Sequence, residues 1–321
     1  MILSFVKKLT FLLLLVGLSM YFLAFVVDSG LRKSRNEHYA TWNDLFNSKI
    51  NAELLILGSS RAEFHISPKI LDSTLHLNSY NLGLSAWHFD MQYARFKLFL
   101  AHNPKPKYII HNVDVYGFSK RNDVVNREQF LPYIHEPILQ ATTRGHKGEF
   151  DIYQQYIPLY KYKNQQALAW EGICNFVNLT ALYDSTTKYK GYRGNEYTWN
   201  KDFELFKKRY PKGAKYSFNK EILKQFDEYL AFCEQQNIKV ILLYAPEYYE
   251  VQPLYKNKNQ MMEICENAAK RFHCYFLDYS KDTLCYQKKY FYNSQHLNKN
   301  GAEIFSKKLA VDVKSLLKMN K

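Results

Sequence analysis

Positions 9–27 (LTFLLLLVGLSMYFLAFVV) carry no charge. A helix over that run rises about 28 Å, close to the hydrocarbon thickness of a bilayer. Lys7 and Lys8 precede it, the run is longer than the apolar core of a cleaved signal, and no Ala-x-Ala follows. Residues 1–35 are therefore expected to be an uncleaved signal anchor with its flank. Arg32, Lys33 and Arg35 lie just beyond the span and nearly balance the positive charge before it. A short tail ahead of a large soluble portion usually stays cytoplasmic. The expectation is thus a single-pass protein of the inner (cytoplasmic) membrane, with its soluble portion facing the periplasm or exterior. No second run of comparable length and apolarity occurs.

Beyond the span the pattern alternates. Residues 52–57 (AELLIL) form a short continuous apolar run ending at Gly58 and predict a buried strand. Ser67-Pro68 predicts a helix start with proline in the first turn. Residues 79–82 predict a brief strand. Residues 87–101 place Phe89, Tyr93, Phe96 and Leu100 at helical spacing, and residues 107–115 (KYIIHNVDV) are β-rich. After residue 215 regular order resumes: a helix over 220–236, a strand over 238–244 (IKVILLY), a helix over 261–272, a short strand over 274–277 and a terminal helix over 300–317. Asn300-x-x-Glu303 resembles a capping box at that last helix. This succession predicts an α/β domain over residues 36–321, a parallel sheet with helices on both faces. The stretch 117–215 differs. It is rich in Tyr and Lys, lacks clear strands, contains some helix near 165–174, and is expected to be an insertion packed on the main sheet.

Composition narrows the class. The chain has 321 residues, 47% hydrophobic and 17% aromatic, with 12 Gly and 9 Pro, which excludes collagen-like and largely disordered chains. The formal net charge of +14 is spread without a long basic block. It is expected to be a solvated surface, and no nucleic-acid partner is expected. Five cysteines are too few for a disulfide scaffold. Cys233 and Cys265 fall within helical patterns and are expected to pack as small hydrophobes. No Cys/His group has zinc-ligand spacing, and neither a metal nor another cofactor is expected.

In parallel α/β sheets, sites gather at the carboxyl ends of the strands. After the first strand comes Gly58-Ser59-Ser60-Arg61, a turn that exposes a hydroxyl near helix amides. Such amides can hold an oxyanion or a phosphate, yet the turn is neither a Walker A loop nor GxGxxG. After the second strand, Gly83 in Asn81-Leu82-Gly83 permits close backbone approach. Before the last helix, His296 in Asn293-Ser294-Gln295-His296 is a candidate general base.

Taken together, GSSR after the first strand, NLG after the second and NSQHLNKNGAEIFSKKLA before the final helix resemble the SGNH/GDSL hydrolase superfamily. More narrowly, they resemble its membrane-anchored bacterial branch linked to cell-surface polysaccharide O-acylation. The resemblance spans residues 52–116 and 220–317. It implies a three-layer SGNH/flavodoxin-like fold, Ser60 as nucleophile, Ser59 in the family's aspartate position and His296 as base. It also implies an oxyanion hole from the N–H groups of Ser60 and Gly83, with Asn112 in His111-Asn112-Val113-Asp114 as a further donor. Asp114 is the alternative to Asn112 at that place. The implied chemistry is acyl transfer.

One departure bears on mechanism. The family's last block reads Asp-x-x-His, and here Asn293 replaces the acid. A neutral amide orients imidazole without stabilising imidazolium as a carboxylate does, and losing the carboxylate of a serine triad costs about 10⁴ in turnover. Asp278 and Asp282 are the nearest upstream acids. Asn293→Asp is expected to raise esterase activity if the triad is merely weakened.

Two functions fit these residues. One is a serine O-acyl (acetyl) esterase or transferase working through an acyl-Ser60 intermediate on a polysaccharide or other acylated carbohydrate. The resemblance then implies a multi-span membrane acyltransferase as a possible partner. The other is a catalytically degenerate protein of the same fold that binds a glycan or a partner in the cell envelope. Convergence of Ser60 Oγ and His296 within hydrogen-bond reach separates them.

Overall fold

Five strands, β1 (Leu54–Leu57), β2 (Ser79–Asn81), β3 (Tyr108–Asn112), β4 (Lys239–Tyr244) and β5 (Tyr275–Asp278), pair in parallel in the order β2-β1-β3-β4-β5. The register sets Leu57 beside His111, Asn112 beside Leu243 and Tyr244 beside Asp278, so the carboxyl ends lie along one edge. β1 is buried throughout, as is β4 after its first residue. Such continuous apolar strands require cover on both faces. This is the α/β fold that the alternation of strands and helices predicts.

The computed structural model describes residues 2–179 and 188–318. The helices are α1 (Ile2–Leu31), α2 (Ala40–Phe46), α3 (Ser60–His65), α4 (Pro68–Leu75), α5 (Phe89–His102), α6 (Pro137–Thr143), α7 (Ile152–Tyr156), α8 (Gln166–Phe176), α9 (Asp202–Arg209), α10 (Lys220–Gln235), α11 (Lys258–Arg271) and α12 (Lys299–Lys318). The chain divides into two compact units. One joins Met1–Asp44 to Asn122–Thr186, and the other joins Leu45–Arg121 to Thr187–Lys321. Within the stretch 117–215, residues 122–186 thus belong with α1, and residues 188–215 belong with the sheet. Residues 180–187 of that stretch lie outside the described residues.

In the sheet unit, α5 packs against α10, while α12 packs against α3 and α4. The α5–α10 side is aromatic: Phe89 and Phe96 meet the buried Tyr229 ring at 5.7 and 5.5 Å. Tyr229 OH also lies 3.2 Å from His111 Nδ1 on β3. β3 stops at Asn112, short of the expected 115, because a turn closed by Gly117 N–H on Asp114 O (2.8 Å) takes the chain out of the sheet. That exit delivers Asp114 and Tyr116 to the sheet edge. The cap of α12 is also displaced from the expected one. Asn298 Oδ1 accepts from Gly301 N–H (3.0 Å), and Asn300 lies inside the helix. Cys233 and Cys265 are buried as small hydrophobes, and burial pushes both thiols up.

In the other unit, α1 packs along α8. Gly30 and Gly172 bring their backbones so close that a Cβ on either would overlap the partner helix. Among the described residues, α1 is the helix long and apolar enough to cross a membrane.

Candidate active site

The turn from β1 into α3 is set by Gly58. Its φ of +134° is open to glycine, and a Cβ there would sit 2.7 Å from Asn112 O. Ser59 then caps α3, which opens with Ser60. Ser59 is fully buried, donates to Asp114 Oδ2 (2.6 Å) and accepts from Tyr116 OH (3.0 Å). Ser59 therefore ties the β1–α3 turn to the loop after β3.

Ser60 Oγ lies 2.7 Å from His296 Nε2. The proton positions follow from what surrounds the other ring nitrogen. His296 Nδ1 faces Asn293 Oδ1 at 3.0 Å, and the same oxygen accepts from the backbone N–H of Gln295 (3.0 Å) and His296 (2.9 Å). Asn293 Nδ2 donates to Asp202 Oδ2 at 3.1 Å. Reversing the amide would set an oxygen against the carboxylate and an NH₂ group against two N–H donors, so its orientation is fixed twice over. An amide oxygen only accepts, so the Nδ1 nitrogen carries the hydrogen and Nε2 presents a lone pair to Ser60 O–H. Enclosure, followed by the Arg61 charge, pushes the imidazole down to about 4, against the pull of Asp202 and Glu63. His296 is thus unprotonated at neutral pH, with a lone pair on Nε2 to accept a proton.

The ring is also held by its faces. Tyr292 stacks on it at 5.3 Å and 5° between planes, and Phe64 meets it edge-on at 5.8 Å. His65, buried in α3, accepts from Leu297 N–H through Nε2 (3.0 Å), which fixes the residue after His296.

Beneath the turn sits a buried ionic cluster. Arg61 contacts Asp114 through Nε (2.7 Å) and Glu247 through Nη1 (2.5 Å), donates to Val113 O (3.1 Å), and lies 4.4 Å from the centre of the Tyr244 ring. Tyr244 OH donates to Glu247 Oε2 (2.5 Å). Burial raises the Glu247 carboxyl although the Arg61 charge opposes it. The cluster pins the ends of β1, β3 and β4 to one another, which keeps Ser60 in place.

The other expected residues fall out differently. Ser60 N–H opens α3 and has no carbonyl one turn earlier to bond, which leaves it available to an oxyanion. Gly83 N–H donates to Asn81 Oδ1 (2.8 Å), and the glycine packs on the Glu63 backbone. Asn112 is fully buried, accepting from Ala245 N–H (3.1 Å) and donating to Asp114 Oδ1 (3.3 Å). The Gly83 N–H is thus taken up within its own loop, while Asn112 joins the ends of β3 and β4 and spends one of its two amide N–H groups on Asp114. Asp278 accepts from Ser280 N–H (2.8 Å), and Asp282 caps Leu284 N–H (2.8 Å) and pairs with Lys308. Both acids are thus engaged elsewhere, and the carboxylate behind His296 is Asp202, at the start of α9.

No family model matches this chain, and no curated protein matches it. Eleven chains of solved structures resemble it, among them the following three. A protein assigned to the G-D-S-L lipolytic family from Desulfitobacterium hafniense DCB-2 has 15% identity and a TM-score of 0.39, over 81% of this chain and 99% of that one. The inhibitor-bound aryl esterase of M. smegmatis has 11% identity and a TM-score of 0.34, over 82% and 98%. A protein assigned as an acylhydrolase from Bacteroides fragilis NCTC 9343 has 12% identity and a TM-score of 0.32, over 81% and 87%.

Beside the His296 loop lies a polar cleft of about 670 Å³, lined by Glu196, Tyr197, Thr198, Lys289, Lys299 and Glu303 among others. Tyr197 meets Tyr292 edge-on at 5.8 Å, and Tyr292 stacks on the imidazole, so two ring contacts link the cleft to His296. Among the described residues, no cluster of His, Cys, Asp and Glu could hold a metal.

Proposed function

We propose that this chain is a serine-dependent O-acyl esterase or transferase of the SGNH/GDSL superfamily. The observation that carries the proposal is the 2.7 Å contact of Ser60 Oγ with His296 Nε2. Ser60 Oγ attacks the acyl carbonyl while His296 Nε2 takes its proton. The Ser60 N–H faces the tetrahedral oxyanion. The imidazolium keeps its Nδ1–H on Asn293, whose amide is polarised by the Asp202 carboxylate. His296 then protonates the departing alcohol, leaving acyl-Ser60. Water or a second alcohol attacks that ester, loses its proton to His296, and restores Ser60.

The resemblance of the GSSR, NLG and NSQH blocks favours acetyl as the acyl group and a cell-surface polysaccharide as the substrate. The cleft beside His296 supports it, because Glu196, Thr198, Lys289 and the Tyr197 ring suit sugar hydroxyls and ring faces better than an acyl chain. α1 anchors the enzyme in the inner membrane with the sheet unit outside, and a multi-span acyltransferase would supply acyl groups across the bilayer.

The test uses the full chain in detergent with an activated acetyl ester. Turnover is expected, with an adduct of about 42 Da on the Ser60 peptide, the acetyl increment of an acyl-serine. Ser60→Ala and His296→Ala are each expected to lower turnover by about 10⁴-fold, and Ser60→Ala to abolish the adduct. Folded wild-type protein giving neither signal would defeat the enzyme proposal in favour of a glycan- or partner-binding protein.

A further inference from the structure

Counting from Lys8, a hydrocarbon core of about 30 Å ends some twenty residues on, near Asp28. The folded unit already touches α1 before that point. Tyr21 OH donates to Tyr156 O (3.4 Å), Phe25 meets Phe176 at 6.3 Å, and Val26 and Val27 are buried. The last two turns of the span are therefore packed on one side by α7, α8 and the Tyr160–Tyr162 turn, while Phe22 and Phe25 stay exposed. Tilt shortens the projected helix and deepens this overlap.

The flanking surface has the composition that such a depth requires. Ile152, Tyr153, Tyr156, Ile157, Tyr160 and Trp170 are large apolar or aromatic residues that stay exposed, with Tyr156 at 66% and Trp170 at 59%. The charges that face α1 at this level are paired, while Lys163 at the end of the turn stays exposed beside the Tyr160 ring. Asp28 pairs with Lys161 (2.8 Å) and accepts from Tyr162 OH, and burial pushes the Lys161 ammonium down. Tyr and Trp with their polar tips belong at the boundary between headgroups and acyl chains.

We propose that this collar is seated in the bilayer interface, so that α7, the Tyr160–Tyr162 turn and α8 dip into the membrane beside α1. The partner is the lipid surface itself, reached by apolar insertion over and above the anchor. The inference rests on α1 being a membrane anchor, and the experiment separates the two.

Full-length protein is placed in phosphatidylcholine–phosphatidylglycerol vesicles with brominated acyl chains, and flotation and tryptophan fluorescence are both read. Flotation with the lipid reports the anchor. The collar predicts a bromine-quenched component of the emission that disappears in Trp170→Phe and persists in Trp199→Phe. Tyr153→Asp with Tyr156→Asp is expected to weaken the quenching at least twofold while flotation is kept. Flotation without any Trp170-dependent quenching would overturn the collar and leave the anchor standing. Failure to float would overturn both.

Discussion

At the residue scale, the question is what Asp202 does. It reaches His296 through the Asn293 amide, and its charge favours the imidazolium. Asp202 is a positioning residue, so its loss should alter the base as well as the rate. Asp202→Asn is expected to lower kcat about tenfold, the scale of one hydrogen bond to a charged group. The acid limb of the pH–rate profile should move down, since removing an anion disfavours protonation of His296. A profile unchanged in both plateau and limb would exclude the relay.

The same geometry revises the expectation for Asn293→Asp. The new carboxylate would stand about 3 Å from that of Asp202 in place of a hydrogen bond, and two such groups share a proton. The single variant is expected to gain little. The exchange Asn293→Asp with Asp202→Asn restores a donor facing an acceptor and is expected to exceed wild-type turnover at neutral pH. Ser60, His296 and Asn293 were legible because each sits in a short block at a strand end or just before a helix. Asp202 was not, since it reaches the site from a helix start in a stretch without strands or motif. Asp278 and Asp282, nearer in sequence, are held by the local turn of Ser280 and the cap of Leu284.

At the element scale, the β1–α3 turn carries the site, and Gly58 makes it possible. Gly58→Ala is expected to destabilise the protein by about 2 kcal/mol or more, from the positive φ and the contact with Asn112 O. A matching loss of esterase activity should accompany the lower unfolding midpoint, because Ser60 follows within two residues. Unchanged stability would mean that the turn tolerates a Cβ by moving. β1, β3 and β4 were readable as apolar runs because they are buried in the sheet, whereas the edge strand β5 is only half-buried. The strand ends were less readable: the run at 107–115 looks uniformly β-rich, but Asp114 leaves the sheet to meet Arg61 and Ser59, a pairing that only the fold creates. The grouping of residues 122–186 with α1 had no local signal, since it depends on two glycines far apart in sequence, Gly30 and Gly172.

At the scale of the whole molecule, burial pushes down the imidazoles of His65, His88, His111 and His296 in the sheet unit. His111 is pushed down to about 3, His296 to about 4, and His65 well below its ordinary value. Unfolded imidazoles protonate near pH 6.5. Below that pH the unfolded chain binds protons that the folded chain refuses, so stability is full above about pH 6.5 and falls as pH drops toward 4. Glu247 acts in the opposite sense, because its raised carboxyl binds a proton in the folded state first. Each imidazole contributes a slope of about 1.4 kcal/mol per pH unit within its window. The denaturation midpoint of the full chain in detergent is therefore expected to fall steadily between pH 6.5 and 4.5. With a net charge of +14, self-repulsion also grows in acid and could produce a similar trend. His111→Gln distinguishes the two, since Gln keeps hydrogen-bonding capacity toward Gln92 and Tyr229 but cannot titrate. Its stability should be less steep in pH by one imidazole, whatever its absolute value. An equal slope in both proteins would assign the acid sensitivity to repulsion.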